Sequence, residues 1–307
     1  MKIDTSTRWL PVYEALASEV RLKIIELLAQ RSMNIKEIAG ELNLSSAIIT
    51  MHIKKLEQAS IIKCVRNSTR NAVQKLCSLS MDSLEIEFPG KPVNGLKHHG
   101  FSVPVGHYTD YSITPTCGLA TAEKIIGHFD DPRSFWEPER VNAEIVWFTQ
   151  GYVEYKLPNY LLSDQEPKEL EISLELSSEA PGINNNWPSD ITFFLNGERL
   201  GMWTSPGDFG GSRGKFTPIW WSMDVAQYGL YKRIRINDEG SFIDGMKVSD
   251  VTLSHLNLRQ KSMTFRIAVL EESEHVGGVT LFGKEFGNYN QDIVFKLYYK
   301  QSLQVVP

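Results

Sequence analysis

The sequence predicts a multidomain α+β protein, with a helical N-terminal domain closed by a basic hairpin and then a mostly-β sandwich. Three observations predict it. Apolar residues recur at helical spacing up to about residue 58 and alternate at strand spacing beyond about 100. Pro89-Gly90-Lys91-Pro92 lies between the two patterns. Charge divides at the same place: residues 1–80 hold 12 Lys+Arg and 7 Asp+Glu, a net of +5, whereas the remainder holds 20 and 30, a net of −10. At 307 residues each part is long enough for its own core. The expected boundaries are 1–79 for the first domain, 80–100 for a linker and 101–307 for the sandwich.

The first helix follows from Leu16, Val20, Ile24, Leu27 and Leu28, which share one face. The second opens at Asn34, an N-cap with Glu37 three residues later, as a capping box requires. Asn43-Leu44 forms a tight turn, and Ser45 caps a third helix over about 46–58. Ile49, Ile53 and Leu56 form its buried stripe. Its other face carries Ser46, Ala47, Thr50, Met51 and Lys54, short groups that reach base edges and a lysine that reaches phosphate. Two strands follow, 61–66 and 72–77, with Asn67-Ser68-Thr69-Arg70-Asn71 between them. Arg70 at the tip, flanked by Arg66 and Lys75, suits phosphate or the minor groove. From His52 to Lys75 the one acid is Glu57, against Lys54, Lys55, Lys63, Arg66, Arg70 and Lys75. Such a basic patch is the electrostatic footprint of nucleic-acid binding.

Ala15-Leu16, Arg21-Leu22, Ile25, Glu37-Ile38-Ala39 and Thr50-Met51-His52-Ile53-Lys54-Lys55-Leu56 together resemble an ArsR-type winged helix-turn-helix over about residues 9–79. The resemblance implies a DNA-binding transcriptional regulator, a repressor acting as a homodimer on a double-stranded operator. It puts Ser46, Ala47, Thr50, Met51 and His52 at recognition-helix positions; the basic residues Lys54, Lys55, Arg66, Arg70 and Lys75 read from the sequence as the other DNA contacts. Where metal-sensing members carry paired cysteines, this chain reads Ser32-Met33-Asn34-Ile35-Lys36-Glu37. Where they carry a final dimer helix, it runs from Ser80 into Pro89-Gly90.

The second part reads as short strands at 103–114, 143–149, 152–156, 170–176, 190–195, 199–203, 231–236, 253–258, 263–270, 279–282 and 292–299, with one helix at 119–126. Leu170-Glu171-Ile172-Ser173-Leu174-Glu175-Leu176 alternates, and Asn196-Gly197 is a hairpin signal. The phrase Ile191-Thr192-Phe193-Phe194-Leu195-Asn196-Gly197-Glu198-Arg199-Leu200-Gly201 is similar to the hairpins of galactose-binding-like jelly rolls. That resemblance implies a jelly-roll-like sandwich that binds a carbohydrate or a related small polar ligand.

Sugars stack on aromatic rings beside Asp, Asn and Arg, so the candidate effector contacts are Trp187, Asp190, Trp203 and Trp221, with Asp208 and Arg213 from the glycine-rich stretch 205–215. Trp147, within Ile145-Val146-Trp147-Phe148, reads as core. His98, His99, His107, Asp110 and Cys117 offer metal-ligating chemistry, an alternative that would make the protein a metal or redox-responsive regulator. Their spacing fits no metal signature, so no metal and no cofactor are expected. No nucleophile elbow or dinucleotide glycine pattern appears, so the chain reads as a non-enzyme. A carbohydrate-active enzyme with an appended winged helix is the remaining alternative. No apolar run approaches the ~20 residues of a membrane span, no signal core opens the chain, and three cysteines make no disulfide framework. The expectation is a cytoplasmic, reduced protein with no membrane partner.

Overall fold

The computed structural model describes residues 1–69, 72–81, 84–88 and 96–301. The chain divides into two compact units, Met1–Pro92 and Val93–Pro307.

In the first unit the elements are β1 (Lys2–Asp4), α1 (Leu10–Leu16), α2 (Glu19–Gln30), β2 (Met33–Asn34), α3 (Ile35–Leu42), α4 (Ser46–Gln58), β3 (Ile62–Thr69), β4 (Ala72–Leu79) and β5 (Glu85–Glu87). The capping box of α3 is formed: Asn34 Oδ1 accepts from the amides of Lys36 (2.9 Å) and Glu37 (3.0 Å), and the Asn34 amide donates to Glu37 Oε2 at 2.7 Å. Such a cap contributes about 1 kcal/mol. Asn43 takes a left-handed conformation (φ 52°) and ends α3, and Ser45 Oγ then accepts from the Ile48 amide to start α4. Ile24, Ile38, Ile49, Ile53 and Leu56 are at most 1% exposed and form the centre of this unit's core.

Strands β2, β4 and β3 form an antiparallel sheet, in that order. Its register sets Cys64 opposite Cys77, and the two are joined in a disulfide. This corrects the expectation of reduced cysteines. Residue counting carries no register, whereas directly opposed positions of an antiparallel pair bring two side chains together, here with the Cα atoms 4.1 Å apart. Within the expected linker, β5 pairs in parallel with β1.

The second unit contains β6 (Lys97–Val103), β7 (Asp110–Ala120), β8 (Ile145–Pro158), β9 (Gln165–Ser177), β10 (Ser189–Leu195), β11 (Glu198–Ser205), β12 (Leu230–Ile236), β13 (Ser241–Ile243), β14 (Met246–Ser249), β15 (Ser262–Val269), β16 (Val279–Phe282) and β17 (Ile293–Gln301). It is a mostly-β sandwich. One layer runs β11-β10-β15-β8, with β7 also on β8; the other contains β17, β9, β12, β13 and β14, with β6 on β17. Strand β16 pairs with both β8 and β9 and joins the layers along one side. Between them lie Phe193, Phe265 and Phe295, all 0% exposed, with Phe265 and Phe295 edge to face at 5.5 Å.

Asn196 (φ 51°) and Gly197 (φ 87°) make the expected hairpin turn between β10 and β11. Four expectations differ from the structure. The two strands expected at 143–149 and 152–156 are one, because Gly151 (φ 109°) carries β8 through a bend where a Cβ would lie 1.9 Å from the Ser112 carbonyl oxygen. The segment 103–114 is interrupted after Val103 and resumes at Asp110. The helix expected over 119–126 is absent: Leu119 and Ala120 end β7 against β8, and the Ile126 amide folds back onto the Leu119 carbonyl. Its apolar run is a buried strand end, which short runs do not distinguish from a helix. The strand expected at 253–258 is a short 3-10 helix (Leu253–Leu256), started by Thr252, whose amide donates to His255 Nδ1.

Candidate DNA-reading face and ligand cavity

Burial of Ile49, Ile53 and Leu56 turns the opposite side of α4 outward. Ser46, Ala47, Thr50, Met51, Lys54 and Lys55 are exposed. Thr50 Oγ1 donates to the Ser46 carbonyl at 2.7 Å, which orients its lone pairs away from the helix backbone.

His52 is half-buried beside Arg21, with 3.3 Å between Arg21 Nη1 and His52 Nδ1. Arg21 is 8% exposed and is held by the carbonyls of Ala15 (Nε, 2.7 Å) and Glu14 (Nη2, 2.6 Å). A guanidinium only donates, so Nδ1 accepts and the imidazole proton sits on Nε2. Burial first, then Arg21 and Lys55, hold the His52 pKa below its ordinary value, so the ring is neutral at pH 7. Lys75 donates to Glu57 at 2.8 Å. The side chain of Arg66 and the whole of Arg70 lie outside the described residues.

The second site is a cavity of about 410 Å³ in the sandwich unit. Its aromatic lining is Phe129, Trp147, Trp220 and Trp221. Trp147 and Trp221 are 6% and 5% exposed and meet edge to face at 5.7 Å; Trp220 stands against Trp221 at 5.5 Å. Trp147 fits against β7 because residue 118 is glycine, where a Cβ would lie 2.2 Å from the indole ring. Trp221 is fixed through its indole N–H, which donates to the Ala226 carbonyl at 2.9 Å.

Every charged residue lining the cavity is an acid: Asp130, Glu179 and Asp208. Asp208 is 1% exposed. Its Oδ2 accepts from the Ala180 amide at 3.1 Å, and its Oδ1 is buried with no hydrogen-bond partner among the described residues. Glu179 Oε2 accepts from Thr280 Oγ1 at 2.7 Å. Desolvation pushes the Asp208 carboxyl up to about 7. Desolvation, reinforced by Asp208 and Asp130, pushes Glu179 up to about 8 against the opposing Thr280 hydrogen bond. Glu175 differs: its carboxylate accepts from the amides of Gly229, Asn288 and Tyr289 and ties three segments together. Its role is structural.

Of the six effector contacts expected from sequence, Asp208 and Trp221 line the cavity. Arg213 donates to the carbonyls of Pro218 and Trp221 and braces the Trp221 segment. Asp190 is a structural acid, 3% exposed, accepting from Thr204 Oγ1 and the His275 amide. Trp203 lies under Lys232 Nζ at 4.4 Å, and Trp187, like Trp203 and Asp190, is not part of the cavity lining. Sequence reasoning missed Phe129, Asp130, Glu179 and Trp220, and it put Trp147 in the core, where it is both buried and part of the lining. The one local signal was Glu179, an acid just beyond the strand alternation and before Pro181-Gly182.

The histidines and cysteine near residue 100 do not converge. His98 and His99 sit on β6 opposite Tyr298 and Leu297, Cys117 sits on β7 opposite Phe148, and Asp110 accepts from Tyr152. Among the described residues no group of three His, Cys, Asp or Glu side chains could hold a metal ion. Strand pairing separates residues that sequence proximity groups together.

Residues 18–63 match the family model described as bacterial regulatory protein, arsR family, and they form an ArsR-type helix-turn-helix. An uncharacterised HTH-type transcriptional regulator of Methanocaldococcus jannaschii is 40% identical over 50 residues, 16% of this chain and 53% of that protein. The chain thus spans about half the length of the curated relative it matches. Among solved structures, HlyU from Vibrio cholerae N16961 is 21% identical, with 24% of this chain and 74% of that one covered and a TM-score of 0.21. A carbohydrate-binding module, CBM36, in complex with calcium and xylotriose is 9% identical, with 65% and 98% covered and a TM-score of 0.28. No described helix is long and apolar enough to cross a membrane.

Proposed function

We propose that the protein is a cytoplasmic transcriptional repressor that binds a double-stranded operator as a homodimer and senses a small carbohydrate through its sandwich cavity. The observation that carries this reading is one chain holding both an exposed, lysine-bearing α4 face and a tryptophan-lined cavity with the buried acid Asp208 and the half-buried acid Glu179. The exposed hydroxyls of Ser46 and Thr50 and the methyl of Ala47 suit base edges, and Lys54 and Lys55 suit phosphates. In the cavity, indole faces suit the apolar faces of a sugar ring, and the carboxyls suit its hydroxyls. Coupling requires that effector bind the DNA-competent and DNA-incompetent states with different affinity.

The test is fluorescence anisotropy of the full chain on duplexes selected from a random library, with and without saturating sugars. Salt-sensitive binding that one sugar class weakens supports the reading. Absence of any duplex binding above non-specific affinity sinks the regulator, and sugar-blind DNA binding sinks the sensor.

The raised pKa of Glu179 favours one second reading, a glycoside hydrolase, because a carboxyl protonated at neutral pH is what a general acid needs. New reducing ends from oligosaccharides incubated with the protein, lost in Glu179→Gln, would favour it.

A further inference from the structure

We propose that the cavity's effector is an amino sugar, its protonated amine against Asp208 and Glu179 and its ring on Trp147 and Trp221. This rests on the sugar-sensor reading above and names the ligand class.

The cavity lining contains Asp130, Glu179 and Asp208 and no Lys, Arg or His. A site for neutral sugars mixes donors and acceptors, since each hydroxyl does both. This one is weighted towards acceptors. Asp208 Oδ1, on a side chain 1% exposed, has no donor among the described residues. Leaving such an atom unmatched is costly, and a cation repays more of that cost than a hydroxyl does. The aromatic lining adds the negative faces of indole rings, which attract an ammonium most strongly where water is excluded. At about 410 Å³ the cavity suits a ligand of sugar size. The acidic body, −10 over residues 81–307, raises the local concentration of cations.

Charge balance supplies a signature. At pH 7 burial keeps Glu179 largely protonated. An ammonium beside it pulls the carboxyl back towards its ordinary range, so the proton leaves to buffer as the ligand binds. A neutral sugar does not force this release.

The experiment is calorimetric titration of the full chain at pH 7 with glucosamine, galactosamine and mannosamine, each against glucose, galactose and mannose, in two buffers of different ionisation enthalpy. At least one amine should bind tenfold or more tighter than its neutral partner, with release of roughly one to one and a half protons per ligand, since Asp208 as well as Glu179 is partly protonated at pH 7. Glu179→Gln and Asp208→Asn keep the shape and remove a buried ionisable group; both should fold, by thermal unfolding, and lose the preference. Neutral sugars binding as tightly as amines, without proton release, would overturn the amine assignment and leave the sugar sensor standing. No binding by either set would overturn both. Amine binding that survives both substitutions would overturn the assignment to this cavity.

Discussion

Lys75 Nζ and Glu57 Oε2 lie 2.8 Å apart and join strand β4 to helix α4. The one acid between His52 and Lys75 therefore neutralises the lysine expected to reach phosphate from the wing. Both side chains remain about a third exposed, so the pair contributes less than about 1 kcal/mol to stability.

Glu57→Gln should free Lys75 for phosphate. The plot of log affinity against log salt for duplex DNA should steepen by about one unit, with little change in melting temperature. An unchanged slope would mean that Lys75 does not reach the DNA backbone.

Lys54→Ala and Lys55→Ala should weaken binding to all duplexes alike and flatten that slope by about one unit each. Changes at Ser46, Thr50 or Met51 should instead alter preference between duplexes, by about 1–3 kcal/mol per altered base contact. Comparing selected and scrambled duplexes separates the two outcomes.

The sandwich should lose stability as pH rises from 5 to 9. Glu179 and Asp208 have pKa values raised to about 8 and about 7, so the folded state binds their protons more tightly than the unfolded chain. Their contribution is whole below the unfolded carboxyl range, about pH 4, and is lost as pH climbs through 7 and 8. Glu175, at about 7, acts with the same sign. Urea midpoints at pH 5, 7 and 9, read by tryptophan fluorescence, check this, because every tryptophan except Trp9 lies in this unit. Glu179→Gln and Asp208→Asn should each flatten the decline; a midpoint independent of pH would sink the assignment of both shifts.

His52 has the opposite sign. Its pKa is held down, so the unfolded chain takes up its proton first, and the winged unit should lose stability as pH falls through the ordinary histidine range near 6.5. His52→Gln should remove that loss, read from far-ultraviolet circular dichroism as helix melting.

Reducing the Cys64–Cys77 disulfide, which spans a sequence separation of 13, should cost the winged unit about 3 kcal/mol by the chain-entropy argument and leave sandwich unfolding unchanged. Melting with and without dithiothreitol reads both transitions.

The sequence by itself determined what is settled within a few residues. Asn34 and Glu37 cap α3 because both groups lie within one turn, and Ser45 starts α4 for the same reason. The spacing of Ile49, Ile53 and Leu56 decides which face of α4 meets solvent. Asn196-Gly197 turns the chain because few other pairs accept two positive φ angles in succession. Tertiary structure alone decided the rest. Cys64 and Cys77 bond because hairpin register opposes them. The strand end at Leu119 looks helical until β8 covers it. The cavity gathers Phe129, Trp147, Glu179, Asp208 and Trp221 from five places in the chain. Sheet pairing joins residues far apart in sequence, and a carboxyl's pKa follows the water it loses there, so neither is written in any local pattern.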